Sequence, residues 1–197
     1  MTFSKKKPAQ RGAVSDGNCR RVRRLYFINR FYWPDESATA QLLRDLAEHM
    51  AKTDCVITVL TSRQLLEDPD ARLMNAEIQA GVSIVRLATT RFGRHRGLFS
   101  RGMDFLTFYG SLFCTLCIRL RSDDVVVALT DPPLVSVVAA VACQARNARQ
   151  INWLQDLYPE VAWRLGVMSA RGPLAWGLGG LRDWALRHAA QNIAIGE

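Results

Sequence analysis

No glycine occurs over residues 29–80, and a fold that binds a dinucleotide needs glycines directly after its first strand, where the backbone must approach the pyrophosphate. The gap argues against NAD or FAD in the usual mode. Histidine is scarce, with three residues, and Cys114 and Cys117 form a CxxC with no second pair and no histidine close by. A zinc or redox role needs such a context. Inside a long apolar helical pattern the pair reads as core, and no metal ligand set is expected. The amino-terminal residues hold no apolar stretch of the kind a secretory signal requires. The five cysteines, Cys19, Cys55, Cys114, Cys117 and Cys143, are accordingly expected as reduced thiols in a cytoplasmic protein.

Low-complexity tracts and internal repeats are also lacking, and a hydrophobic fraction of 49% over 197 residues suits one folded domain with a single substantial core. The net charge of +8 would suggest nucleic acid as a partner, but its distribution argues otherwise. Residues 1–24 carry Lys5, Lys6, Lys7, Arg11, Arg20, Arg21, Arg23 and Arg24 against Asp16 alone, which leaves the rest of the chain close to neutral. No nucleic-acid groove is expected. Residues 1–21 also include Pro8, Gly12, Ser15, Gly17 and Asn18 with few apolar side chains, a composition that buries too little surface to order itself. The chain thus divides into a disordered basic tail over 1–21 and a folded region over 22–197.

Continuously apolar segments separated by helical periodicity mark strands buried on both faces of a parallel sheet. Strands are expected over 22–29, 55–61, 82–87, 124–130, 149–154 and 192–195, and helices over 37–52, 66–78, 100–121, 134–146 and 174–190. In the first helix Ala38, Leu42, Leu46 and Met50 form the apolar face, and Ser37 or Thr39 can cap it. Right-handed crossovers then give an α/β fold: a doubly wound, mostly parallel Rossmann-like sheet with helices on both faces, in the strand order 3-2-1-4-5 with the sixth strand at the end.

Ligands of such a sheet bind beyond the carboxyl ends of the strands, so the loops after the first, fourth and fifth strands converge. The first holds Asp35, Glu36, Ser37 and Thr39. Free amides at the start of its helix can hold an anion such as phosphate, and simple capping by Ser37 and Thr39 accounts for the same residues. The second holds Asp131 before Pro132 and Pro133, which start the next helix without unsatisfied donors; Asp131 is either a site carboxylate or a cap. The third holds Gln155, Asp156, Tyr158 and Glu160. Asp156 and Glu160 suit a general base or acceptors for sugar hydroxyls. Tyr158 and Trp163 suit stacking on a pyranose face or packing against the sheet.

Arg86, Arg91, Arg94, His95, Arg96 and Arg101 precede an apolar run over 103–118 that includes Phe105 and Phe108, and Arg119 and Arg121 follow it. Cations beside an aromatic helix suit the surface of an anionic membrane, each adding about 1 kcal/mol there. The run is too short to span a bilayer, and it contains Asp104. Two readings stand: interfacial contact through Arg91, Arg94, Arg96, Arg101, Phe105 and Phe108, or a core helix packed on the sheet.

Three segments in order, 25–43 (LYFINRFYWPDESATAQLL), 130–133 (TDPP) and 152–160 (NWLQDLYPE), resemble the amino-terminal domain of GT-B glycosyltransferases of family 4, in particular the bacterial exopolysaccharide enzymes of the colanic-acid type. The resemblance runs over 22–197 and departs from many family members in placing Glu36-Ser37-Ala38-Thr39 where they have a glycine pair. It implies one half of a GT-B architecture. That half is the acceptor side of a retaining enzyme that moves a sugar from a nucleotide sugar onto a lipid-linked or polysaccharide acceptor. The resemblance carries over no nucleophile; Asp156 is the candidate catalytic residue by its place in the third loop, and its neighbours line the cleft. The donor-binding domain of the family has no counterpart in this sequence. The resemblance therefore implies no cofactor bound by this chain, a nucleotide sugar as donor for the complete enzyme, and an inactive isolated chain. The alternatives are a split enzyme, in which a separate chain supplies the donor domain, and a non-catalytic module at the membrane surface. The expected location is the cytoplasm, free or peripheral on the inner face of the cytoplasmic membrane.

Overall fold

A computed structural model of the chain describes residues 23–68, 71, 73–90, 97–156, 158–164 and 172–195, with the backbone alone for 97–101, 162, 163 and 174. The expected tail over 1–21, Arg91, Arg94 and Arg96, and the side chains of Arg101 and Trp163 lie outside the described residues.

Among the described residues, β1 (Arg23–Ile28), β2 (Cys55–Ser62), β3 (Ala76–Gln79), β4 (Val82–Leu87), β5 (Val125–Ala128), β6 (Arg149–Leu154) and β7 (Gln191–Ala194) form one sheet. Its order is β3-β4-β2-β1-β5-β6-β7. Only β3 runs antiparallel, against β4; the other pairings are parallel. With β3 set aside, this is the expected order. The helices are α1 (Ala38–Met50), α2 (Gly97–Arg119), α3 (Val135–Arg146), α4 (Glu160–Arg164) and α5 (Pro173–His188). The result is an α/β fold with a mostly parallel, Rossmann-like sheet.

The central strand β1 feeds two cores because successive strand side chains point to opposite faces. Phe27, registered beside Val59 and Val127, packs with Leu43 and Ala47 of α1. Tyr26 and Ile28 join the other core, with Leu112 and Leu116 of α2 and Ala139 and Ala142 of α3. The buried residues of α1 are Ala40, Leu43 and Ala47, so the helix is rotated from the expected face: Leu42 and Leu46 are exposed. Two alanines on the sheet side permit a close approach that the bulkier leucines would prevent.

The expected helix over 66–78 is corrected. Its last residues form β3, joined to β4 by a turn in which Ala80 and Gly81 both have positive φ, 48° and 82°, as a tight type I′ hairpin demands. Pro69 and Asn75 are the breakers that a helical reading passed over. This hairpin encloses Arg86. Its guanidinium donates to the carbonyls of Met74 (3.0 Å) and Trp33 (2.8 Å) and pairs with Glu77. Arg86 is therefore a buried structural cation and no part of a basic surface segment.

On α2, Phe108, Leu112 and Leu116 are buried at intervals of four residues, followed by Leu120. They form the inward stripe of a core helix. Phe108, 2% exposed, cannot contact a membrane surface, which corrects that expectation. No helix among the described residues is long and apolar enough to cross a membrane. Leu112→Ala is expected to lower stability by about 3 kcal/mol, because a fully buried leucine leaves a cavity. Ile118→Ala, on the exposed side at 80%, is expected to stay within about 0.5 kcal/mol. Urea titration of the two variants checks the pair.

Candidate functional site

The loop after β1 is fixed by hydrogen bonds at almost every residue. Asn29, fully buried, donates from Nδ2 to the carbonyl of Phe31 at 2.8 Å. The carbonyl of Arg30 accepts from the amide of Ser62 (3.0 Å) and the hydroxyl of Thr61 (2.9 Å). Asp35 is buried, and its carboxylate accepts the amides of Ser37 (2.9 Å) and Leu66 (2.6 Å). The loops after β1 and β2 are thereby tied together, and Asp35 serves first as their clasp.

The loop after β5 docks on the same frame. The amide of Arg30 donates to the carbonyl of Asp131 at 2.8 Å. The Arg30 guanidinium donates to Oε1 of Gln64 at 3.1 Å and lies 5.1 Å from the ring centre of Phe31 and 4.9 Å from that of Phe105. Two rings and an amide hold it in one orientation. The prolines after Asp131 do not open α3. That helix starts at Val135, preceded by Leu134 in the left-handed region (φ 61°), with no side-chain cap. The capping role for Asp131 is thereby corrected, and its carboxyl is left to the electrostatics around it.

Burial pushes the Asp131 carboxyl up to about 6; Arg30 opposes the shift, and Asp35 and Asp156 add to it. The same group acts on two phenols. Tyr109 of α2 donates to the carbonyl of Pro133, and its pKa is raised by burial and by Asp131, with Arg30 opposing. Tyr158 is raised by burial, Asp156 and Asp131. Three carboxylates, one guanidinium and two phenols from α2 and the loops after β1, β5 and β6 thus share one field at the carboxyl ends of the strands. A carboxyl poised near 6 populates both forms close to neutrality, the condition for taking up and returning a proton. The fixed guanidinium beside it offers a charge-assisted hydrogen bond to an anionic or hydroxyl group.

Comparison with family models and with curated proteins finds no match. The remaining expected residues are placed as follows. Asp156 is exposed and, with Tyr158, lines a cavity of about 30 Å³ between Thr130, Ser136, Asn152 and Arg182. That space suits a water molecule and is too small for a sugar ring. Gln155 is half-buried, with a buried Nε2 that has no partner among the described residues. Glu160 is drawn away into an ion pair with Arg182, which also holds Asp183 at 2.8 Å, and so braces α4 against α5. Glu36 is exposed, with its carbonyl accepting Nε2 of Gln41 at 2.7 Å. Ser37 stands at the N-cap of α1, yet its hydroxyl makes no capping bond, and Thr39 lies one residue inside that helix. Sequence reasoning placed Asp35, Asp131, Asp156 and Tyr158 at one edge of the sheet, and the structure has them there together. It assigned nothing to Arg30, Gln64 or Tyr109; the one available signal was a cation directly after an apolar strand.

Among the described residues, no group of three or more His, Cys, Asp or Glu side chains is arranged to hold a metal ion. Cys114 is exposed and Cys117 half-buried, so only Cys117 joins the core as expected. A recess of about 1020 Å³ lies at the opposite, amino-terminal ends of the strands, lined by Arg24, Asp54, Arg121, Asp124 and Arg149. Two of its cations are paired, Arg24 with Asp124 at 3.1 Å and Arg149 with Asp123 at 4.0 Å.

Proposed function

We propose that this chain is the acceptor-side half of a GT-B glycosyltransferase, a doubly wound Rossmann-like domain that contributes one wall of the cleft in which a sugar passes from a nucleotide sugar to a lipid-linked or polysaccharide acceptor. The observation that carries the reading is the meeting of Arg30, Asp131, Asp156 and Tyr158 from the loops after three adjacent strands. The segments that supply these residues are those that resemble family 4. In this reading Asp131 and Asp156 receive the acceptor hydroxyl and Arg30 orients an anionic part of the acceptor. The departing nucleoside diphosphate demands cations or dipoles beyond this half, and the rate depends on closing both reactants into one cleft. The isolated chain is accordingly inactive.

The test co-expresses the chain with a donor-binding Rossmann-like chain and measures labelled sugar transfer from a panel of nucleotide sugars to polyprenyl phosphate. Transfer by the pair and none by the chain alone is expected. Asp156→Asn, a substitution at an exposed carboxylate, is expected to slow transfer about tenfold or more while the melting temperature stays constant. Turnover by the isolated chain, or an unchanged rate in Asp156→Asn, overturns the assignment.

A further inference from the structure

Gln64 follows β2 at the carboxyl edge of the sheet and is buried, 8% exposed. A buried amide must satisfy a donor end and an acceptor end, and the two ends are told apart by what each meets. Here Nε2 donates to the carbonyl of Thr90 at 3.1 Å, and Oε1 accepts from the Arg30 guanidinium at 3.1 Å. A carbonyl only accepts, so Thr90 admits the nitrogen end and turns the oxygen end toward Arg30. Thr90 in turn is held from α2: its amide donates to the hydroxyl of Thr107 at 3.1 Å, and its hydroxyl donates to the buried carboxylate of Asp104 at 2.7 Å. The backbone of Gln64 is fixed as well, its amide donating to the hydroxyl of Ser62 at 3.2 Å. A chain of hydrogen bonds thus runs from α2 through Thr90 and Gln64 to the guanidinium, and α2 also supplies Phe105, one of the two rings beside it.

We propose that Gln64 is a positioning residue of the candidate site, which acts on Asp131 through Arg30. An arginine side chain has many rotamers, and its guanidinium acts as a fixed charge only where an acceptor holds the fork in one direction. Ring faces attract a cation without selecting a direction for its N–H groups; the amide of Gln64 supplies that choice. Among the described residues, the groups that face Asp131 are Arg30 and Asp35 from the loop after β1, Tyr109 from α2, and Asp156 and Tyr158 from the loop after β6. Arg30 is the cation among them, and the carboxylates of Asp35 and Asp156 act against it. Loosening the guanidinium therefore leaves Asp131 to burial and to its two anionic neighbours, and its proton is held more tightly. The inference deepens the glycosyltransferase reading, since it concerns the same site, and rests on that reading for its effect on the rate of transfer.

The experiment follows the Asp131 carboxyl by carbon NMR in the isolated chain as pH is varied, with the signal assigned through its loss in Asp131→Asn. The wild-type midpoint is expected at about 6. Gln64→Met, which keeps the length of the side chain without its polar ends, is expected to raise the midpoint by about half a pH unit or more. Gln64→Asn, a milder change that leaves the amide too short to reach both partners, is expected to raise it as well. Arg30→Met is expected to raise it further, and adding Gln64→Met to Arg30→Met is expected to change nothing more, since effects that run through one group do not add. In the reconstituted pair, the limb of the pH profile that reports Asp131 is expected to move with the midpoint in each Gln64 variant. An unchanged or lowered midpoint in either Gln64 variant overturns the proposal. So does a Gln64→Met shift of the same size with and without Arg30, the mark of a general packing effect. Absence of transfer by the pair overturns the glycosyltransferase reading alone, and the titration still decides the role of Gln64.

Discussion

Asp131→Asn is expected to raise stability by about 3 kcal/mol at pH 8 and to leave it nearly unchanged at pH 3.5. The folded carboxyl titrates at about 6, above the ordinary value of 3.8. A carboxyl raised on folding contributes its stability in the protonated form: the contribution is complete below the unfolded pKa and is lost as pH rises through the folded one. Above pH 6 the native protein therefore keeps an anion in a buried place already shared with Asp35 and Asp156, and asparagine removes that anion at little change in shape. Urea titrations at pH 3.5 and 8 measure the difference. A variant no more stable than the wild type at pH 8 would show that Arg30 fully offsets the burial. The same substitution is expected to reduce sugar transfer by the reconstituted pair about 100-fold, the usual scale for losing an acid–base group. A residue that destabilises the fold where it stands is most readily accounted for by a function that needs it.

Arg86→Ala is expected to lower stability by about 3 to 5 kcal/mol, the scale for breaking a buried ion pair from one side. Three groups lose their donor at once: the carbonyls of Trp33 and Met74 and the carboxylate of Glu77. These belong to the loop after β1, the segment before β3, and β3 itself. The loss therefore spreads from the hairpin edge toward the site loop that carries Arg30 and Asp35. Arg86→Lys is expected to recover only part of the loss, because an ammonium on a flexible stem cannot serve three acceptors in the geometry of a planar fork. Thermal denaturation gives the magnitude, and amide exchange in β3 gives the location. Unchanged protection of the β3 amides in Arg86→Ala would show that the hairpin is held by its backbone ladder alone.

The strands that stand in parallel, their order and the edge where the loops converge were readable in the chain, because continuous apolar runs and their spacing are local properties. The runs over 55–61, 82–87 and 149–154 match β2, β4 and β6 within one residue, and right-handed crossovers leave few ways to order them. Asp131, Asp156 and Tyr158 followed from that order, since each comes directly after a central strand. What only the tertiary structure decided depends on neighbours far away in sequence. Glu77 and Met74 turn Arg86 from an exposed cation into a buried clamp. The sheet surface chooses Ala40, Leu43 and Ala47 over Leu42 and Leu46 as the inner face of α1. Gln64, Phe31 and Phe105 fix Arg30 beside Asp131, and burial next to two further carboxylates, rather than anything in the TDPP segment itself, sets the proton affinity of that residue. Periodicity records which side of an element is apolar; hydrogen-bond partners, dielectric and charge at a point exist only once the chain has brought distant segments together.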